Sequence, residues 1–173
     1  MTIRNPLILL SITLMTFVLI GCGGDSPKTA TKSTPAPKAE PATPEPVVED
    51  GVVSLVLNGN DQMKYDKSEL KAKAGTSVKL TLNHTGKLAK EVMGHNFVLL
   101  KAGTDVAAFT QKALDAKETE YIPEGDEIIA YTALVGGGES TEITFEAPEK
   151  GTYDFLCTFP GHAALMKGKF IVE

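Results

Sequence analysis

One stretch near the C-terminus concentrates groups that can do chemistry. Cys157-Thr-Phe-Pro-Gly-His162-Ala-Ala-Leu-Met166 sets a thiol, an imidazole five residues on and a thioether four beyond that around a tight Pro-Gly loop. A second imidazole, His95, lies far upstream in Met93-Gly94-His95-Asn96. Two imidazoles, a thiolate and a thioether are the donor set of a trigonal copper site with a weak axial sulfur. Thiolate and imidazole suit both Cu(I) and Cu(II), and a three-coordinate plane on a stiff framework changes little when an electron arrives or leaves. The set therefore suits a one-electron carrier, with the long Met contact and an apolar shell tuning the potential. Each residue alone has a plainer use: a lone buried Cys is a small hydrophobe, a lone Met fills a core, and a lone His is a hydrogen-bonded structural group. Their joint spacing, in a chain with only 3 histidines, favours the metal.

The chain has 2 cysteines, Cys22 and Cys157. Arg4 is the only charge before Asp25, and an apolar run from Leu7 to Ile20 follows it. That run is shorter than the roughly 20 residues that span a bilayer and ends in small residues, so it reads as an export signal. Its end, Leu19-Ile20-Gly21-Cys22, resembles the lipobox of bacterial lipoproteins. The resemblance implies cleavage before Cys22 and acylation of its thiol. Otherwise Cys22 is incidental to a signal peptide or to a short uncleaved anchor. A lipidated Cys22 cannot pair with Cys157, leaving a lone thiol in an oxidising compartment where an idle, exposed thiol is at risk. A metal or a buried core slot would occupy it.

After residue 22 the composition turns to Pro, Ala, Thr, Lys and Glu up to about Asp50, with Pro27, Pro35, Pro37, Pro41, Pro44 and Pro46 among the chain's 10 prolines. Without aromatic residues such a segment cannot build a core. We expect residues 1–21 to be a signal peptide and 22–50 a lipidated cysteine with a tether, reaching on the order of 80 Å if wholly extended at about 3.1 Å per residue. Residues 51–173 would form one domain. A hydrophobic fraction of 42% supplies a core, and a formal charge of −5 disfavours nucleic acid as a partner.

The elements that must position the donors read as short strands. In Ser-Val-Lys-Leu-Thr-Leu-Asn (77–83), Val78, Leu80 and Leu82 share a face; so do Ile143 and Phe145, and near the C-terminus Tyr153, Phe155 and Cys157. Further strands are predicted over 52–58, 64–73, 95–101, 127–132 and 167–172, separated by turn signals such as Asn58-Gly59-Asn60-Asp61 and Gly136-Gly137-Gly138. Seven or eight strands at this spacing suggest an all-β, antiparallel Greek-key sandwich. Residues 104–117 break the rhythm: positions 106, 109, 110 and 113 recur at helical spacing, and Asp105 suits a helix start, so one inserted α-helix is expected.

Three segments, Leu-Asn-Gly-Asn-Asp-Gln-Met (57–63), Val-Met-Gly-His-Asn (92–96) and Cys-Thr-Phe-Pro-Gly-His-Ala-Ala-Leu-Met-Lys-Gly (157–168), resemble the azurins among the cupredoxins, over about 51–173. The resemblance implies one type 1 copper ion with His95, Cys157 and His162 in its plane, Met166 as a distant axial ligand and the Gly94 carbonyl opposite. It also implies that Asn96 hydrogen-bonds the ligand loop near Thr158 and that the Phe159 amide points at the Cys157 sulfur. His84 matches the histidine whose protonation is linked to copper redox state, although Thr85 replaces the family's usual proline. The family's disulfide has no counterpart, since Val53 and Gly75 align with its cysteines. Phe97 stands where well-known azurins have a buried tryptophan.

In that family the edge of the C-terminal histidine, here His162, reaches the surface within an apolar docking patch. Matching positions are Met63, Leu88, Met93, Phe159, Pro160 and Ala164. The implied role is a non-enzymatic electron carrier between membrane-associated or periplasmic redox proteins. Its implied partners are c-type cytochromes, nitrite reductase or peroxidase. A lipid anchor would hold it facing the periplasm or at the cell surface, and Gly23, no inner-membrane retention signal, slightly favours the outer membrane. Two alternatives stand beside this one. Copper storage or delivery would call for exposed Met/His-rich or Cys pairs. An enzyme would use Cys157 as nucleophile, His162 as base and Asn96 as orienter, leaving Met166 and the sealed loop without a role. A catalytic zinc site is disfavoured because it keeps a position open for water.

Overall fold

A computed structural model describes residues 47–49 and 51–173, which carry ten strands. The apolar run at 7–20, Cys22 and most of the Pro-rich stretch lie outside the described residues. No helix among the described residues is long and apolar enough to cross a membrane.

The strands make two five-stranded sheets. In the first, β1 (Val47–Glu49), β2 (Val52–Asn60), β5 (Ser77–His84) and β8 (Ser140–Glu146) lie in that order, and β3 (Lys64–Tyr65) also pairs with β2. In the second the order is β4 (Glu69–Ala72), β10 (Lys167–Val172), β9 (Gly151–Leu156), β6 (Val98–Leu100) and β7 (Ile128–Tyr131). Period-two alternation places Val53, Leu55 and Leu57 of β2 and Val78, Leu80 and Leu82 of β5 in the core, against Tyr153, Phe155 and Phe170 of the second sheet. Each aliphatic side chain fully buried there contributes about 1.5–3 kcal/mol.

The second sheet is covered on both faces. Val98, Leu100 and Leu156 turn away from the sandwich core and bury under Phe109 of the helix α2 (Val106–Asp115), so β6 is buried at every residue. The helix starts where expected: the Asp105 side chain accepts from the Ala107 and Ala108 amides at 3.0 and 3.1 Å.

Several sequence expectations need correction. The sheets are mixed rather than wholly antiparallel: β2 runs parallel to β5, and β4 parallel to β10. The single strand expected over 64–73 is two strands in different sheets, because the chain crosses the sandwich edge between Tyr65 and Glu69. At that crossing Asp66 accepts from the amide and side chain of Asn58 at 2.8 and 2.7 Å. Residues 95–97 are not in a strand either; His95 makes an isolated bridge to Val135, and a short helix, α1 (Lys90–Met93), precedes it. Finally, strand pairing begins at Val47, within the stretch read as tether.

Candidate metal centre

The site lies at the end of the sandwich where β2 and β5 finish side by side, with Gly59 in register with His84. Both continue the inward parity of their strands. The ring of His95 lies over this pair. A Cβ on Gly59 would stand 2.7 Å from His95 Cδ2 and 3.3 Å from Met166 Cε, so only glycine leaves room for the imidazole and the thioether. His84 stacks on His95, with ring centroids 4.2 Å apart and 15° between planes. Its Nδ1 accepts from the Gly86 amide at 3.0 Å and its Nε2 donates to the Met93 carbonyl at 2.7 Å. Both ring nitrogens are thus tied to backbone groups.

Opposite His95, β9 delivers Cys157 one step past its last strand residue, on the same parity as Tyr153 and Phe155. The loop that follows is closed on itself. The Cys157 amide donates to the Met166 carbonyl at 2.9 Å, the His162 amide to the Phe159 carbonyl at 3.0 Å, and the Met166 amide to the His162 carbonyl at 2.8 Å. The loop brings His162 Nδ1 to 3.6 Å from Cys157 Sγ and buries Met166 completely. Gly94 presents its carbonyl 3.9 Å from the same sulfur. A Cβ there would meet the Lys90 carbonyl at 2.6 Å and Leu134 at 2.8 Å, so this approach also requires glycine.

One ligand atom each from His95, Cys157 and His162 lies within 4.8 Å of the others, and all three residues are buried. His95 Nε2 donates to the Asn60 carbonyl at 2.9 Å, which fixes the tautomer and leaves the Nδ1 lone pair facing inward. That Nδ1 is buried and has no hydrogen-bond partner. Burial holds the His95 pKa below its usual value and brings His162 down to about 4, with repulsion from His95 and His84 adding to the latter. Both imidazoles are therefore neutral at pH 7. Burial pushes the Cys157 thiol up to about 11, against the pull of the Asn96 and Phe159 amides and the Tyr65 hydroxyl. In the apoprotein Cys157 is a thiol, and a metal must displace its proton.

Asn96 joins the two ligand segments. Its Oδ1 accepts from the Thr158 amide at 2.9 Å and its Nδ2 donates to Thr158 Oγ1 at 2.8 Å. Two further residues escaped the sequence reading. Glu120 accepts from the Leu134 amide and from Lys90 Nζ, each at 2.9 Å, while its backbone carbonyl accepts from Asn96 Nδ2 at 3.3 Å. It thus braces the segments on both sides of His95. Glu120 and Tyr121 both have left-handed backbones, φ 56° and 65°, a costly pair for non-glycine residues. The Tyr121 ring meets Phe159 edge-on at 5.4 Å, and Phe159 packs on His162 at 4.7 Å. Nothing in the local sequence distinguishes Glu120 from its acidic neighbours.

At the outer rim His162 is 2% exposed. Leu88, Pro160 and Ala164 are exposed, and Met63, Met93 and Phe159 half-buried. Val92 and Leu165, absent from the expected patch, are more exposed still, at 62% and 64%. Leu165 was legible in principle: it directly precedes the buried Met166 and so turns outward.

A family model for copper binding proteins of the plastocyanin/azurin family matches residues 52–173. The chain belongs to this family. The azurin of Bordetella pertussis is 40% identical over 121 residues, covering 66% of this chain and 80% of that protein. The outer membrane protein H.8 of Neisseria gonorrhoeae is 39% identical over 124 residues, covering 69% of this chain and 67% of that protein. Among solved structures, auracyanin A, a "blue" copper protein from Chloroflexus aurantiacus, superposes with a TM-score of 0.66 at 34% identity, over 71% of this chain and 100% of that one. Reduced auracyanin from Roseiflexus castenholzii gives 0.63 at 36% identity, over 69% and 96%.

The cupredoxin cofactor is a single copper ion, and the donors fit it: two neutral imidazoles, one of them with an unpartnered Nδ1, beside a buried sulfur. In general terms, this plastocyanin/azurin family member is a blue-copper electron carrier.

Proposed function

We propose that the protein carries single electrons between membrane-associated or periplasmic redox proteins, by way of one copper ion held by His95 Nδ1, Cys157 Sγ and His162 Nδ1. Met166 and the Gly94 carbonyl, close to these donors, would add weaker contacts to it. The observation that carries this reading is the buried, unpartnered Nδ1 of His95 within 4.8 Å of the other two donors. Copper supplies a Cu(I)/Cu(II) couple. The chain's own residues hold a fixed donor plane: Asn60 orients His95, the Asn96–Thr158 pair clamps the two segments, and the loop bonds between Cys157 and Met166 prevent the thiolate from swinging. His84, stacked on His95, is the candidate for a histidine linked to the redox state of the site.

Electrons would pass at the His162 rim, where Leu88, Val92, Pro160, Ala164 and Leu165 offer an apolar contact surface with little to resist release. Lipidation of Cys22 and a tether to about residue 50 would raise the carrier's concentration near membrane-bound cytochromes, nitrite reductase or peroxidase. Likeness to an outer membrane protein supports that placement.

A redox titration of the copper-loaded protein tests the function. A reversible one-electron wave with copper that exchanges slowly against a chelator is expected. Rapid metal exchange without a reversible wave would point instead to copper storage or delivery.

A further inference from the structure

Tyr65 is the buried polar group that the copper reading leaves without a task. Its ring belongs to an aromatic cluster, 5.8 Å from Phe155, which in turn lies 5.3 Å from Phe97. Phenylalanine would fill that space equally well and spare the cost of burying a hydroxyl. The hydroxyl has a specific partner: it donates to the backbone carbonyl of Asn96 across 31 residues of sequence. Asn96 is the residue after His95, and its side chain is bonded twice to Thr158, the residue after Cys157.

We propose that Tyr65 is a positioning residue of the copper centre, whose hydroxyl fixes the Asn96 backbone between the two ligand segments. The inference rests on the copper reading of the site. With the Tyr65 bond in place, the Asn96 carbonyl and both side-chain polar atoms are engaged: the carbonyl by Tyr65, Oδ1 by the Thr158 amide, and Nδ2 by Thr158 Oγ1 and the Glu120 carbonyl. The backbone of Asn96 then cannot shift without breaking bonds to both ligand segments. A shift of that backbone would move His95 and Thr158, and with them the surroundings of the Cys157 sulfur. Hydrogen bonding around the cysteine sulfur is one of the levers on the potential of such a site.

Tyr65→Phe removes the oxygen and keeps the ring. Compared with the wild-type protein, the copper-loaded variant should show a shifted reduction potential and a displaced thiolate-to-copper absorption band. The ratio of Cu(II) to Cu(I) affinity should change several-fold, a tenfold change being about 59 mV for one electron. An unchanged potential and band would overturn the proposal. A wild-type protein that takes up copper without any such band would overturn the copper reading itself. A second measurement needs no variant: NMR of tyrosine-labelled wild-type protein, copper-free and Cu(I)-loaded. The Tyr65 hydroxyl proton should exchange slowly and move between the two forms, and a signal identical in both would contradict the assignment.

Discussion

Gly59 and His95 occupy one another's space: the position a Cβ would take on Gly59 is 2.7 Å from His95 Cδ2. The glycine is therefore a condition for the histidine to lie flat over the end of β2 and β5. Gly59→Ala should push the His95 ring off His84 and against Met166. We expect a loss of about 1–3 kcal/mol of stability, typical of overpacking, together with weaker copper binding. Thermal unfolding of the copper-free and copper-loaded variant reads both.

Copper uptake should depend on pH with a definite slope. At neutral pH both imidazoles are already deprotonated, because burial lowers their pKa values, while burial keeps Cys157 protonated up to about 11. Binding then releases one proton, and the apparent affinity should rise roughly tenfold per pH unit between about pH 7 and 9. As pH falls towards about 4, His162 also takes up a proton and the slope should steepen. Competition against a chelator across that range measures it, and a flat profile would mean that Cys157 is not a ligand.

Glu120→Ala should remove the bond to the Leu134 amide and the tie to Lys90. Leaving that buried amide unpaired costs about 1–3 kcal/mol, and faster copper dissociation should accompany it. Glu120→Gln, which retains an acceptor for Leu134, should recover most of the loss. Copper dissociation rates of the three proteins check this.

Asp105→Ala offers a control away from the metal. Loss of the cap on α2 should cost about 1 kcal/mol and leave the reduction potential unchanged, since α2 packs on the outer face of the second sheet. Denaturant unfolding and voltammetry on the same sample separate the two effects.

What could be read from the sequence was local. Side-chain alternation placed Val78, Leu80 and Leu82 inward and set Cys157 on the parity of Phe155, because a strand's period is carried by neighbouring residues. The helix start at Asp105 is equally local. What escaped depends on distant partners. The parallel pairing of β2 with β5 brings Gly59 beside His84, yet neither strand's own pattern specifies its neighbour. The break between Tyr65 and Glu69 is a change of sheet; the parity shift from Tyr65 to Leu70 and Ala72 marks it locally, but not which strand the second half joins. Glu120 and Tyr65 owe their importance to bonds with Leu134 and Asn96, far from them in sequence. The loop from Cys157 to Met166 stood out because its donors lie within ten residues of one another, whereas His95 became part of the same cluster only through the fold.

In the proposed site the Cys157 sulfur would hold copper together with His95 and His162. Absorption spectroscopy of the Cu(II)-loaded protein beside its Cys157→Ser variant tests it most directly. The wild-type protein should show an intense blue thiolate-to-copper band that is missing from the serine variant. A colourless wild-type protein, or a serine variant that keeps the band, would contradict the account.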